Sequence, residues 1–295
     1  MDPLIVLLQA FISGISIGCI YALVALGFVL IYKATEVINL AQGDLMMVGT
    51  FIAYSLVDLA GIPFIPGVLL ALMAAAVFGG LLNHLLLRPL IGSPAFTMVL
   101  ATVAISTLLR AVVTMVPGWG VETHRLSNPV AGKVMALGRL AVSAEHLMVI
   151  VVTLVLVALL SVFFSRTRIG VALQATSQNQ LAASYVGINI RRMFNLSWGI
   201  SAAVAALAGV LLAPMAFVHV NMGAIALKAF PAAVLGGFGS LPGTVAGGLV
   251  IGVTEELAGL YLPEGYKNVA AYVVLLAVLM VRPQGLFGFS RRLRV

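Results

Sequence analysis

The chain has 295 residues, 62% of them hydrophobic and only 8% charged, with a mean hydropathy of +1.17 and a net charge of +7. A soluble domain carries about 25% charged residues, so no water-soluble fold of this length hides so much apolar surface, and the solvent is lipid. The alternating strands of a spanning barrel are not seen, the basic residues lie in short loops where they set orientation rather than bind nucleic acid, and the one cysteine, Cys19, excludes a disulfide framework or a cysteine metal site. The pattern predicts an all-α polytopic membrane protein. It has about eight or nine transmembrane helices, one of them broken or short near 224–243, in a single domain over 1–295.

The first span covers about residues 4–32. It lacks a basic n-region and its apolar run is too long for a cleavable signal peptide. Gly14 and Gly18 give it a small-xxx-small spacing that lets helices approach closely. Lys33 follows, and then residues 36–44, EVINLAQGD. A second span covers about 45–59, starting as early as Asn39 on a wider reading. Gly61 and Pro63 make a turn into the third span, about 65–87, which ends at Arg88 and Pro89. The fourth, about 95–116, is closed by Pro117 and Gly118. Residues 117–143 form the longest loop without a strong apolar run, and the fifth span is about 145–164.

Residues 165–192, SRTRIGVALQATSQNQLAASYVGINIRR, carry two arginines at each end, Arg166 and Arg168, then Arg191 and Arg192. Between them, Leu173, Leu181, Val186 and Ile188 alternate with Gln174, Ser177, Gln178, Asn179 and Gln180. That is enough apolar surface for a short amphipathic helix on the membrane face. A sixth span runs over about 194–217. The stretch 228–252 is apolar but interrupted by Pro231, Gly236, Gly237, Gly239, Pro242 and Gly243. Its first part reads as a discontinuous helix, tolerated at membrane depth only where protein or water covers it. A full span then ends near Leu262, and the last covers about 268–281. No fixed-period repeat of the solenoid kind is present.

With 165–192 placed inside, alternation puts Lys33, Arg88, Arg166, Arg168, Arg191, Arg192, Arg282, Arg291, Arg292 and Arg294 inside, ten of the sixteen basic residues. That is the bias the positive-inside rule requires. It places the N-terminus outside and the C-terminus inside, provided that 224–240 counts as a crossing.

No catalytic constellation is found. His84, His124, His146 and His219 lack ligand spacing. There is no phosphate-binding loop, so the chain is expected to be no enzyme, without an ATPase motif, cofactor or metal of its own. Ionisable groups inside spans are functional candidates. Asn39, Gln42 and Asp44 read either as a polar lining or as a helix cap at the membrane surface. Thr102, Ser106 and Arg110 stack on one helix face, as a polar path or, on the preferred reading, as hydroxyls bonded to their own backbone beside an arginine snorkelling outward. Glu255 and Glu256 require protein or water beside at least one of them, with Arg110 or Lys228 as candidate partners. Gly239, Gly243 and Gly247 form a dense small-residue ridge, suited to intramolecular packing or to a subunit seam.

Residues 166–211, RTRIGVALQATSQNQLAASYVGINIRRMFNLSWGISAAVAALAGVL, resemble the cytoplasmic loop and following span of branched-chain amino acid ABC permeases. INLAQGDLMMVGTFIAY at 38–54, AAVLGGFGSLPGTVAGGLVIGVTEEL at 232–257 and VRPQGLFG at 281–288 agree in order and spacing. The length and the 117–143 loop are similar to the first of the two permease types of these importers.

The resemblance implies a bacterial inner-membrane subunit that pairs with a second permease, as a homo- or heterodimer, two ABC ATPase subunits that use the ATP, and a periplasmic substrate-binding protein. It makes 165–192 the ATPase-coupling loop, with Arg166, Arg168, Gly170, Gln174, Gly187, Asn189 and Arg191 as its candidate residues. It makes 117–143 the part that helps receive the binding protein. Position 174 is glutamine where relatives often place arginine, and Asp44 stands where glutamate is also common. The expected function is import of branched-chain or related amino acids. An ion-coupled secondary carrier and a sugar-type importer permease are the alternatives, and other amino acids, short amides and urea are further candidate cargoes.

Overall fold

The computed structural model of the chain describes residues 3–90, 93–137, 140–263, 265–282 and 285–287. Arg139 and the tail residues Arg291, Arg292 and Arg294 lie outside the described residues. The bundle is built around α1 (Pro3–Thr35), which is apolar on every side, the mark of a helix enclosed by others. Residues 18–31 are all buried.

α10 (Leu241–Tyr261) runs antiparallel along α1. Glycine allows the two backbones to touch. A Cβ at Gly252 would lie 2.3 Å from the Cα of Gly18, and one at Gly18 would lie 2.8 Å from the Cα of Leu249. On the opposite side α8 (Ile190–Ala216) packs against α1 and against α3 (Phe64–Leu82). There a Cβ at Gly79 would meet the Trp198 carbonyl at 2.6 Å. α2 (Gln42–Tyr54) and α9 (Ile225–Gly236) fill the spaces between these long helices. α4 (Ala95–Met115), α5 (Ala144–Arg166) and α11 (Tyr266–Val281) lie outside and turn Leu108, Val112, Leu154, Leu159, Leu276 and Met280 outward. α6 (Arg168–Gln178) and α7 (Gln180–Tyr185) join α5 to α8.

Six helices among the described residues are long and apolar enough to cross a bilayer: α1, α3 with its extension to Leu90, α4, α5, α8 and α10. α2 and α9 are each half of a span. α2 starts at Gln42 after a lead without helical structure and widens into a π turn over Ser55–Leu59. α9 is preceded by a 3₁₀ turn, Val220–Ala224. The successions α1–α2–α3 and α8–α9–α10 are therefore alike: long helix, broken helix, long helix. α1 and α8 run in opposite directions. α1 packs on α10 as α8 packs on α3, and α2 leans on α8 as α9 leans on α1. The two halves are an inverted pair that no fixed sequence period reveals.

The segment around 224–240 crosses the bundle. Val218 pairs with His124 of the 117–143 loop, at the end where Gln9 Nε2 donates to the Ala141 carbonyl. Phe238 packs its ring 4.7 Å from that of Tyr32, at the other end of α1. Leu286 N–H donates to the Leu235 carbonyl at this second end. Residues 285–287 thus share an end with the loop α6–α7, whose Gln180 Nε2 donates to the Ala34 carbonyl.

The touching backbones of α1 and α10 give the first prediction. Gly252→Ala drives a methyl into the α1 backbone and lowers stability by about 1–3 kcal/mol, the usual cost of overpacking. Gly239→Ala, whose added carbon meets nothing within 4 Å, changes it by less than about 0.5 kcal/mol. Thermal unfolding of the two purified variants in detergent makes the comparison.

Candidate functional site

The sequence 36–44 does not make a cap at the membrane surface. Gln42, in the first turn of α2, lies against Gly27 and Ser201. Gly27 is about 12 Å from the end of α1 and Ser201 about 16 Å into α8, at the 1.5 Å rise of a helix. α2 therefore begins deep inside the bundle. Asn39 Oδ1 accepts from the Ala41 N–H, and its Nδ2 donates to Gln42 Oε1 at 3.3 Å. Ser201 Oγ lies 3.0 Å from Gln42 Oε1 and 2.9 Å from the Gly27 carbonyl. Asn39, Gln42 and Asp44 are all buried.

Asp44 does not cap its helix. Its carboxylate accepts from Arg110 Nε at 2.6 Å and from the Ser106 hydroxyl, both on α4. Thr102, one turn earlier, donates to the Val99 carbonyl and accepts from the Leu40 N–H. Thr102, Ser106 and Arg110 thus form one column against the start of α2. The column rises from a cavity of ≈ 320 Å³ lined by Thr35, Glu36, Asn83, Thr102, Gln180 and Trp198.

The 3₁₀ turn ahead of α9 meets the start of α2 at the same depth. A Cβ at Gly43 would lie 2.0 Å from the Gly223 carbonyl, and one at Gly223 would come 3.2 Å from Asp44 Oδ1. Glycine at both positions is what lets the two half-helices begin side by side. α9 then carries Lys228, whose Nζ lies 2.6 Å from Glu255 Oε1 on α10. Tyr21 of α1 donates to the other oxygen of Glu255 at 2.5 Å. Glu256 points elsewhere and pairs with Lys267 of α11 at 2.5 Å. Of the two candidate partners for Glu255, the structure selects Lys228, and Arg110 belongs to Asp44.

The glycine ridge divides. Gly247 packs on Ala232 and Gly243 on Gly236, both of α9, while Gly248 and Gly252 turn to α1. Gly239 takes no part in packing. It lies in the turn between α9 and α10, ahead of the first residue of α10.

The 165–192 stretch forms two helices rather than one. Thr167 Oγ1 accepts from the Gly170 N–H to cap α6, Asn179 Oδ1 from Ala182 to cap α7, and Asn189 Oδ1 from Arg192 to cap α8. Each is the side-chain oxygen that an N-cap needs. α6 buries Gly170, Leu173 and Thr176 and exposes Arg168, Val171, Gln174 and Gln178. A Cβ at Gly170 would come 2.2 Å from the Phe163 carbonyl, and Gly187 turns the chain into α8 with φ +84°. Arg166 and Arg191 are exposed, as are Leu181, Tyr185 and Val186, the last three 70–87% exposed.

At the opposite end, residues 117–137 and 140–143 fold as a cover. Trp119 stacks on Phe51 at 5.2 Å and donates to Ser55 Oγ at 2.6 Å, and Ser127 N–H donates to the Asp58 carboxylate. Strands β1 (Val134–Leu137) and β2 (Leu140–Ser143) pair antiparallel there.

Tyr21, Ser201 and Gly223 are not singled out by sequence reasoning. Each is one small or polar residue in an apolar run, with its partner more than a hundred residues away.

The sequence profile of the family described as branched-chain amino acid transport system / permease component matches residues 10–281. The chain is 32% identical to the high-affinity branched-chain amino acid transport system permease protein BraD of Pseudomonas aeruginosa, covering 95% of each chain. It is 31% identical to the permease protein LivH of the corresponding system of Escherichia coli, again over 95% of each. In fold it is similar to the solved structure of PsaBC from Streptococcus pneumoniae in complex with Fab, with a TM-score of 0.51 and 17% identity, over 95% of this chain and 92% of that one.

The Tyr21 hydroxyl gives the prediction for this region. Tyr21→Phe removes a donor to a buried carboxylate and lowers stability by about 1.5–3 kcal/mol, the range for a hydrogen bond to a charged group. Thermal unfolding in detergent reads it, with Tyr272→Phe, a partly exposed hydroxyl bonded to a backbone carbonyl, as the milder comparison.

Proposed function

The chain belongs to the branched-chain amino acid transport system permease family, and from that premise we propose how it works within an ABC importer of the bacterial inner membrane. It forms one wall of the route taken by a branched-chain or related amino acid. Separate ATPase subunits dock on α6 and α7, and a substrate-binding protein delivers cargo at the 117–143 end. A second permease, identical or related, supplies the facing wall.

The observation that carries this reading is the surface of the loop. Leu181, Tyr185 and Val186 stand exposed at α7, and Arg166, Arg168 and Arg191, in the same loop, are exposed as well. A solvated loop has no use for such an apolar cluster, whereas an interface centre with a basic rim does. Behind it, α6 and α7 rest on α1, α5 and α8, so a push on the loop reaches the start of α8. α8 carries it to Ser201 and the Gln42 turn of α2. The orientation follows from the same assignment: the loop and the residues after α11 face the cytoplasm, where ATP is, and the start of α1 faces the periplasm.

An ion-coupled carrier fits less well. It needs carboxylates available to a coupling ion, and here Asp44 is held by Arg110, Glu255 by Lys228 and Tyr21, and Glu256 by Lys267. A sugar-type importer shares the loop architecture, and the cargo of the cognate binding protein separates the two. Calorimetry that finds leucine bound and ribose ignored supports the amino acid.

Two tests bear on docking. Arg166→Glu with Arg168→Glu abolishes co-purification of the ATPase subunits while the permease still inserts in the membrane. Gly187→Pro, which cannot adopt the positive φ of that turn, cuts uptake into cells without loss of membrane-inserted protein, and so does Gly170→Pro, which loses the capping N–H. Uptake that persists in cells lacking the ATPase genes would overturn the assignment.

A further inference from the structure

Arg110 lies five residues, about 8 Å at the 1.5 Å rise of a helix, from the end of α4, and its side chain is 46% exposed while its partner Asp44 is 1% exposed. The guanidinium does not snorkel toward the helix end as the sequence suggested: its Nε is tied inward to Asp44, and an arginine so held inside a span belongs beside protein or a water-filled path. Its helix flank agrees. Thr107 and Thr114 lie three and four residues from Arg110 on the same stripe and are both exposed, and each hydroxyl donates only to its own helix backbone, leaving its oxygen lone pairs toward the open side.

A guanidinium has five N–H donors in a planar fork. Arg110 spends Nε on Asp44 Oδ1. Among the described residues, neither Nη group of Arg110 makes a hydrogen bond. Asp44 is fixed from behind by the Ser106 hydroxyl and by the crowding of Gly223. The arrangement is an anchored fork with its free edge outward, matched to a carboxylate that accepts from two nitrogens at once. Asp44 neutralises the cation at rest, so no unpaired charge is left inside the bundle.

We propose that Arg110 is a substrate-binding residue that takes the carboxylate of the amino acid in passage through its Nη edge, and that Asp44 is the positioning residue that aims it. This rests on the permease reading above. The ammonium end of the zwitterion lies toward Thr107, whose oxygen accepts a hydrogen bond. Because Asp44 draws on the same guanidinium, the hold is weak, as a site that must release its cargo requires.

The test uses the whole importer with its ATPases in proteoliposomes, with saturating binding protein loaded with radiolabelled leucine, and reads leucine moved per ATP hydrolysed. Arg110→Gln lowers that ratio by about tenfold, the order expected for loss of a hydrogen bond to a charged group. Arg110→Lys, which keeps the charge and loses the fork, falls between. The exchange D44R with R110D keeps an ion pair but presents a carboxylate to a carboxylate, and stays as low as Arg110→Gln. Recovery of the wild-type ratio in the exchanged protein would show a latch and overturn the proposal. If the exchanged protein does not assemble, Arg110→Lys decides, since a ratio equal to wild type overturns it. A wild-type complex that moves no leucine rejects the permease reading itself, whereas a competent wild type with an unaffected Arg110→Gln rejects this site alone.

Discussion

A helix that begins halfway across a bilayer leaves its first backbone N–H groups without partners, and hydrocarbon supplies none. Among the described residues two helices, α2 and α9, begin that way, and they begin beside each other. In the lead into α2, Asn39 Oδ1 takes the Ala41 N–H and Thr102 Oγ1 the Leu40 N–H, and that fixed lead presents the Asn39 carbonyl to the Gln42 N–H and the Ala41 carbonyl to the Asp44 N–H. At the approach to α9, His219 supplies Nδ1 to the Asn221 N–H and its carbonyl to Met222. The two starts come within contact only because positions 43 and 223 are glycine. α1 and α8 enclose these starts, and α4 gives up part of its apolar stripe to them. The polar centre of the bundle exists because two spans were broken at the same depth.

Broken helices also lose the continuity that fixes a span along its axis. Each is held instead by one charge: α2 offers Asp44 to Arg110 on α4, and α9 offers Lys228 to Glu255 on α10. Such pairs are weak evidence for net stability, since desolvation offsets much of their attraction. What they supply is position, because apolar side chains alone let a short helix slide. The same logic links the centre to the loop. α8 starts at the Asn189 cap immediately after α7 and carries Ser201 to the α2 start, so one rigid helix joins the docking surface to the polar centre.

Much of this was legible in the sequence. The bilayer dictates span length, so the long helices follow from hydropathy, and the glycines at 236, 237 and 239 mark a break that the turn between α9 and α10 bears out, whereas Pro231, read as an interruption, lies inside the continuous helix α9. The loop declares itself through its arginine pairs, although Asn179 divides it into two helices where the periodicity suggested one. The stretch 36–44 leaves a buried lining and a surface cap both open, because a polar turn at the surface and one buried midway have the same composition. Gly27, Ser201 and Gly223 tell them apart, and those lie on other helices. For the same reason the chain's own pattern did not choose between Arg110 and Lys228 as the partner of Glu255. Pairing across helices is set by packing, and the packing here depends on glycine contacts between segments as distant as Gly18 and Gly252.

A role for Arg110 in holding cargo requires that the flank of α4 beside it face a water-filled path rather than lipid. The chain's one cysteine, Cys19, is buried, so single cysteines can be introduced against a quiet background. A membrane-impermeant, charged thiol reagent applied to the assembled importer is the direct measurement, comparing Thr107→Cys on that flank with Val155→Cys on the exposed face of α5. With a water-filled path beside α4, Thr107→Cys is labelled in at least one stage of the ATP cycle and Val155→Cys in none. Equal and negligible labelling of both, at every stage, would place Arg110 against protein or lipid and contradict it.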